Sequence, residues 1–159
     1  MIVERLAELG YAYEPAPLQV LGFHTAVRSG DLVFTSGQVS LLGDRSIRGR
    51  VGTDVDVETA RTAAEICAFN CLRAFGAVAP IEELGRVVKV LGMVNVADGF
   101  DDTARVIDGC SDFLRRVLGD AGGDHARSAV GVVLPAGFAV EVEMVIEVRP
   151  TVVEAGAPG

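Results

Sequence analysis

The chain of 159 residues has no tryptophan, three cysteines, two histidines and a single lysine, and each shortage excludes something. His24 and His125 stand far apart without metal-ligand spacing, so no metal site is expected. Three cysteines cannot all pair within one chain, and reduced thiols are expected. Cys67 and Cys71, four apart, read as small residues on one buried helix face rather than a redox pair, with Cys110 filling a second. No apolar run approaches the roughly 20 residues that cross a bilayer. Glu4-Arg5 puts a charge pair where a signal peptide would need a basic start followed by an apolar stretch. A soluble, cytoplasmic chain with no membrane partner is therefore expected. No glycine-rich segment has the strand–loop–helix context or phosphate-binding lysine of a nucleotide site: Gly119 to Gly123 carries three glycines but leads into a strand.

What is present is apolar and acidic. Half of the residues are hydrophobic, which excludes intrinsic disorder and fits one domain around one core. That fraction exceeds what a monomer's surface needs and points to a second apolar surface between subunits. Twenty-two acidic residues against 14 basic ones give −8, and the arginines are spread from Arg5 to Arg149. Such a surface repels a phosphate backbone, so nucleic acid is not an expected partner.

Hydrophobic periodicity divides the chain. Ile2, Val3, Leu6 and Leu9 mark a short N-terminal helix stopped by Gly10, within an extension of residues 1–13. Val20 to Val27 and Leu32 to Thr35 read as a β-hairpin turned at Arg28-Ser29-Gly30-Asp31. Ser36-Gly37-Gln38 interrupts its second strand, and Gly43 to Gly52 reads as a loop. Val57 to about Gly76 repeats every 3.6 residues and starts at Asp54 or Asp56, the pattern of a long capped helix. Val87 to Val96 is a buried strand in which Gly92 marks a bulge or a close contact. A second helix runs from Asp101-Asp102-Thr103 to Gly119, then a loop to Asp124 and a strand from Arg127 to Leu134. In the last strand Phe138, Val140, Val142, Met144, Ile146 and Val148 alternate with a second series that includes Glu141, Glu143 and Glu147. Strand–helix–strand succession implies parallel strands. The expected fold is one α+β domain over residues 1–149, a mixed sheet with two helices on one face, and a flexible tail at 150–159.

Three features carry potential chemistry. Arg127 enters an apolar strand, where an unpaired guanidinium would be costly. Its fork suits a carboxylate, supplied by a ligand or by an acid of the same chain, and on the residues alone the internal salt bridge is the favoured reading. Glu141 and Glu143 line the polar face of a strand expected near that of Arg127, where a solvated sheet face is the plainer account. Thr35-Ser36-Gly37-Gln38 ends an apolar strand in small polar residues, either a simple terminus or a place where amides and a hydroxyl meet a ligand.

The order of these features resembles the RidA/YjgF family, also called the endoribonuclease L-PSP family. The resemblance rests on Ser36-Gly37-Gln38, Arg127-Ser128-Ala129-Val130, Leu134-Pro135 and Val140-Glu141-Val142-Glu143, and the elements agree over about residues 20–149. The N-terminal helix and Arg-Ser-Ala-Val-Gly-Val are similar to a longer-chain branch. The resemblance implies a chorismate-mutase-like fold and a homotrimer with clefts between neighbouring chains. It further implies hydrolysis of reactive enamines and imines to 2-keto acids and ammonia, with no metal or organic cofactor. By position, Arg127 would hold a substrate carboxylate and Glu141 would activate water. Ser36 and Gly37 would line the cleft, and the main chain of Ala129 would orient water or substrate. Phe23 replaces a cleft tyrosine and loses its hydroxyl, Ala129 stands where many members have cysteine, and Ile107 or Asp108 falls nearest a cleft asparagine. The alternatives are a non-catalytic binder of small carboxylated metabolites and an endoribonuclease, which the net charge disfavours.

Overall fold

A computed structural model describes residues 1–149; the tail expected at 150–159 lies outside the described residues. Helix α1 (Ile2–Glu8) buries Leu6 and is tied down where Arg5 Nη1 donates to the carbonyl of Val117, 3.0 Å away. The strand expected from Val20 to Val27 is broken. Leu21 and Gly22 both take positive φ, 50° and 85°, which makes a tight turn between β1 (Gln19–Val20) and β2 (Phe23–His24). The hairpin proper follows, β3 (Ala26–Ser29) and β4 (Leu32–Thr35), turning through Gly30-Asp31. After Ser36-Gly37, β5 (Gln38–Val39) resumes along the same lane. The expected loop from Gly43 to Gly52 contains part of a ribbon, β6 (Leu41–Leu42) with β7 (Arg45–Ser46).

Helix α2 (Val57–Gly76) is capped by the Asp56 side chain, which accepts from the Thr59 amide at 2.7 Å. Strand β8 (Leu84–Asn95), helix α3 (Thr103–Gly123), β9 (Ala126–Val132) and β10 (Val140–Val148) complete the chain. Helix α3 outruns its expected end: Gly119 leaves helical geometry at φ 72°, and the chain then re-forms a last turn to Gly123 instead of a loop. The main sheet has the order β3-β4-β10-β8-β9, with β5 also paired to β10. Strand β10 is antiparallel to β4, β5 and β8, whereas β8 and β9 are parallel and joined across α3. The crossover lays β9 on the outer side of β8, so the strands of Arg127 and Glu141, expected near each other, are one strand apart, with β8 between them.

The two faces of this sheet differ. Val140, Val142, Met144, Ile146 and Val148 are buried on the helix face, where β10 packs against α2 and β8, with Val87, Val90 and Val94, packs against α3. Gly92 is a close contact, since Ile107 of α3 occupies the space a Cβ would need; the two register shifts in this pairing lie at Val88 and Gly85 instead. Cys67 and Cys71 fill the same layer, their thiols donating to the carbonyls of Val140 and Val142 at 3.3 Å each. Burial pushes both thiols well up, and Cys110 up to about 12, so these are packing residues and not nucleophiles. The opposite face is open. Val27 and Phe34 stand 52% and 46% exposed there, in the company of Val130 and the row of glutamates.

Candidate functional site

The side chains singled out in the sequence gather in two places. On the outer edge of the sheet, Arg127 of β9 lies opposite Val90 of β8 and so points to the helix face. Asp108 and Ser111 are three residues apart on α3 and present neighbouring side chains to it. Arg127 Nη1 donates to Asp108 Oδ1 at 2.8 Å and to Ser111 Oγ at 3.1 Å. The expectation of a guanidinium left wholly to a ligand is thus corrected. A cation with a side chain only 24% exposed, beside a helix, takes the nearest acid on that helix. This is the internal salt bridge that the residues alone favoured. Among the described residues every side-chain hydrogen bond of Arg127 runs through Nη1, and Nε and Nη2 have no protein partner. Those two nitrogens form the side-on edge of the fork, the edge that clasps a carboxylate with two parallel bonds.

Around this pair the structure places Ile107 and Asp108 differently and adds two residues. Ile107 is buried against Gly92, so Asp108, 45% exposed, is the residue beside Arg127. The Ala129 carbonyl already accepts from Thr103 Oγ1 at 3.2 Å, which engages part of the main chain expected to meet substrate or water. His125, set aside as a solitary histidine, lies 3.0 Å from Ser111 Oγ through Nε2. The spacing Asp108-x-x-Ser111 on a helix, and a histidine two residues before Arg127, were the available signals for this cluster.

The second place is the middle of the open face. Glu141 pairs with Val39 on one side and Met93 on the other, opposite in direction to the Arg127 side chain. Gly37, at the break between β4 and β5, sits directly over its carboxylate: a Cβ at Gly37 would collide with Glu141 Oε1. Burial, with Glu143 adding like charge, pushes the Glu141 carboxyl above its ordinary value. Ser36 is not free: its hydroxyl donates to the His24 carbonyl at 2.7 Å and ties β2 to this break. Phe23 on β2 is 51% exposed. Glu141 and Gly37 therefore come together, with Ser36 and Phe23 joined to them through the chain. Arg127, Asp108 and Ala129 belong to the other side of the sheet. On one chain Arg127 and Glu141 thus point to opposite sides of the sheet.

Among the described residues no group of three or more His, Cys, Asp or Glu side chains is placed to hold a metal. No helix there is long and apolar enough to cross a membrane. A surface depression of about 390 Å³ between α2 and α3 is lined by Arg61, Glu65, Asp112 and Arg116, but these charges answer one another. Arg61 meets Asp112 at 2.9 Å and Arg116 meets Glu65 at 2.7 Å.

No protein-family model matches the chain. It is 32% identical over 152 residues to Protein TCP17 of Trypanosoma cruzi, covering 93% of this chain and 94% of that one. Among solved structures, Atu1372 of Agrobacterium tumefaciens, a protein of unknown function, matches with a TM-score of 0.83 at 35% identity over 94% of each chain. The YjgF gene product of E. coli matches with a TM-score of 0.59 at 24% identity, over 87% of this chain and 97% of that one. At that identity the likeness is one of fold.

Proposed function

The chain belongs to the RidA/YjgF family, and from that premise we propose that it is a cofactor-independent hydrolase of enamine and imine acids. It would convert 2-imino acids to 2-keto acids and ammonia at clefts between copies of itself in a homotrimer. The observation that carries this reading is the one-sided pairing of Arg127: Asp108 and Ser111 take Nη1, and the Nε–Nη2 edge remains for a ligand carboxylate. A hydrogen bond to a charged group contributes roughly 1.5–3 kcal/mol, and this edge offers two. An imine carbon is already electrophilic, so catalysis needs a placed water and a base within hydrogen-bond reach. Glu141, half-buried beneath Gly37, is that base. The separation of the two groups on opposite sheet faces supports a site completed by a neighbouring copy. The exposed Val27, Phe34 and Val130 supply apolar surface for such an assembly.

The test is keto-acid release from an amino-acid-derived imine, followed with the assembled recombinant protein. Wild type is expected to accelerate release, and Arg127→Ala to remove the acceleration. Equal rates with wild type, variant and buffer would overturn the assignment. Binding without turnover is favoured by one observation, the placement of Glu141 on the opposite sheet face from the Arg127 edge, which a binder would leave unused. Ligand-induced thermal stabilisation that needs Arg127, with no keto acid formed, would select it.

A further inference from the structure

Ser111 and His125 have no part in the chemistry proposed above, yet both are joined to its cation. A carbonyl oxygen only accepts, so the hydrogen bond between His125 Nδ1 and Gly123 O places the ring proton on Nδ1. In the neutral ring Nε2 is then an acceptor, and the Ser111 hydroxyl donates to it. With its proton committed there, Ser111 Oγ turns its lone pairs to Arg127 Nη1. The hydrogen bonds run in one direction, from Arg127 through Ser111 and His125 to the Gly123 carbonyl. Burial keeps the ring below its usual titration range, with Arg115 of α3 and Arg127 of β9 acting in the same sense. The Gly123 carbonyl and Asp124 oppose that shift. The neutral form that the chain of bonds requires is thus the one favoured near neutral pH.

We propose that Ser111 and His125 are positioning residues, which grip Arg127 at Nη1 and so present its Nε–Nη2 edge, already oriented, to a ligand carboxylate. This rests on the reading of Arg127 as the ligand's cation. Ser111 is 3% exposed and acts only through Arg127. A long side chain held beforehand loses less freedom on binding, which is how an internal contact strengthens an external one. Asp108 alone would supply charge but only one fixed point, and Ser111 supplies the second.

Pyruvate, a small 2-keto acid, is the probe, titrated calorimetrically into the assembled protein. Arg127→Ala is expected to abolish measurable binding. Ser111→Ala and His125→Leu are expected to weaken it roughly tenfold, the lower end of what one hydrogen bond to a charged group implies. His125→Gln, whose amide accepts from Ser111 and donates to Gly123 O, should restore most of the affinity lost in His125→Leu. Nitrogen NMR of the wild-type ring reads the arrangement without ligand: His125 should carry its proton on Nδ1 and leave Nε2 bare. If Ser111→Ala and His125→Leu bind like wild type while Arg127→Ala does not, or if the ring proton is on Nε2, the positioning role is overturned and Arg127 keeps its ligand role. If wild type does not bind pyruvate, or Arg127→Ala binds it equally well, the ligand reading fails and the positioning role falls with it.

Discussion

The outer edge at β9 and α3 and the open face at β10 hold their candidate side chains by opposite means. Arg127 is kept in place by partners: one carboxylate, one hydroxyl, and a histidine behind the hydroxyl. Glu141 is kept by exclusion: among the described residues its carboxylate makes no side-chain hydrogen bond, and it is crowded by Gly37 and half removed from water. A cation buried on one side needs an anion, whereas a carboxyl can lower its burial cost by holding its proton longer. Positioning by partners suits a group that binds, and positioning by desolvation suits a group that exchanges protons.

The largest expected effects fall on these two side chains. Arg127→Ala should lower kcat/KM for imine hydrolysis at least about a hundredfold, since two charge-assisted bonds are lost together. Glu141→Gln should act mainly on kcat, because a group needed for proton transfer leaves binding largely intact. Its raised carboxyl sets the pH dependence. The base works only when ionised, so the acid limb of the wild-type rate profile should lie above the ordinary glutamate range near about 4.3 and vanish in Glu141→Gln. An acid limb at or below that value would show that exclusion does not tune Glu141.

Gly37→Ala comes next. The added methyl meets the Glu141 carboxylate, and overpacking of this kind costs about 1–3 kcal/mol. It should depress kcat more than pyruvate binding, which a joint measurement of rates and affinity checks. A smaller effect of opposite sign is expected at the other region. Asp108→Asn keeps an acceptor for Nη1 and removes a negative charge beside the proposed carboxylate site, so keto-acid affinity should rise severalfold. The smallest effect is on stability. His125 is harder to protonate folded than unfolded, so its contribution is present above the unfolded value near about 6.5 and is lost as pH falls. Thermal melts below that pH should decline more steeply in wild type than in His125→Gln.

How much of this was legible in the sequence follows the same division. Helix α2 was readable because Asp56 caps a long run of 3.6-residue period, and β10 because its alternation reports one buried face. Parallel pairing followed from the β8–α3–β9 succession. The turn at Leu21-Gly22 was only half readable: Gly22 is a break signal inside a strand pattern, but leucine rarely takes positive φ. The placement of β8 between β9 and β10 was not readable, because lane order depends on which edge each strand joins and not on its own residues. Gly37 and Glu141 were each named from the resemblance, but their contact is a product of the strand order. The pairing of Arg127 was legible as a need for an acid. The identity of that acid came only with the packing of α3 on β9.

The central claim is that the site is divided, with Arg127 from one copy meeting Glu141 from the next. Mixing Arg127→Ala and Glu141→Gln chains in equal amounts, under conditions that let subunits exchange, tests it most directly. Neither variant alone should hydrolyse the imine, and random mixing through head-to-tail interfaces should restore about a quarter of wild-type activity. Mixed assemblies that form and stay as inactive as their parents would contradict it.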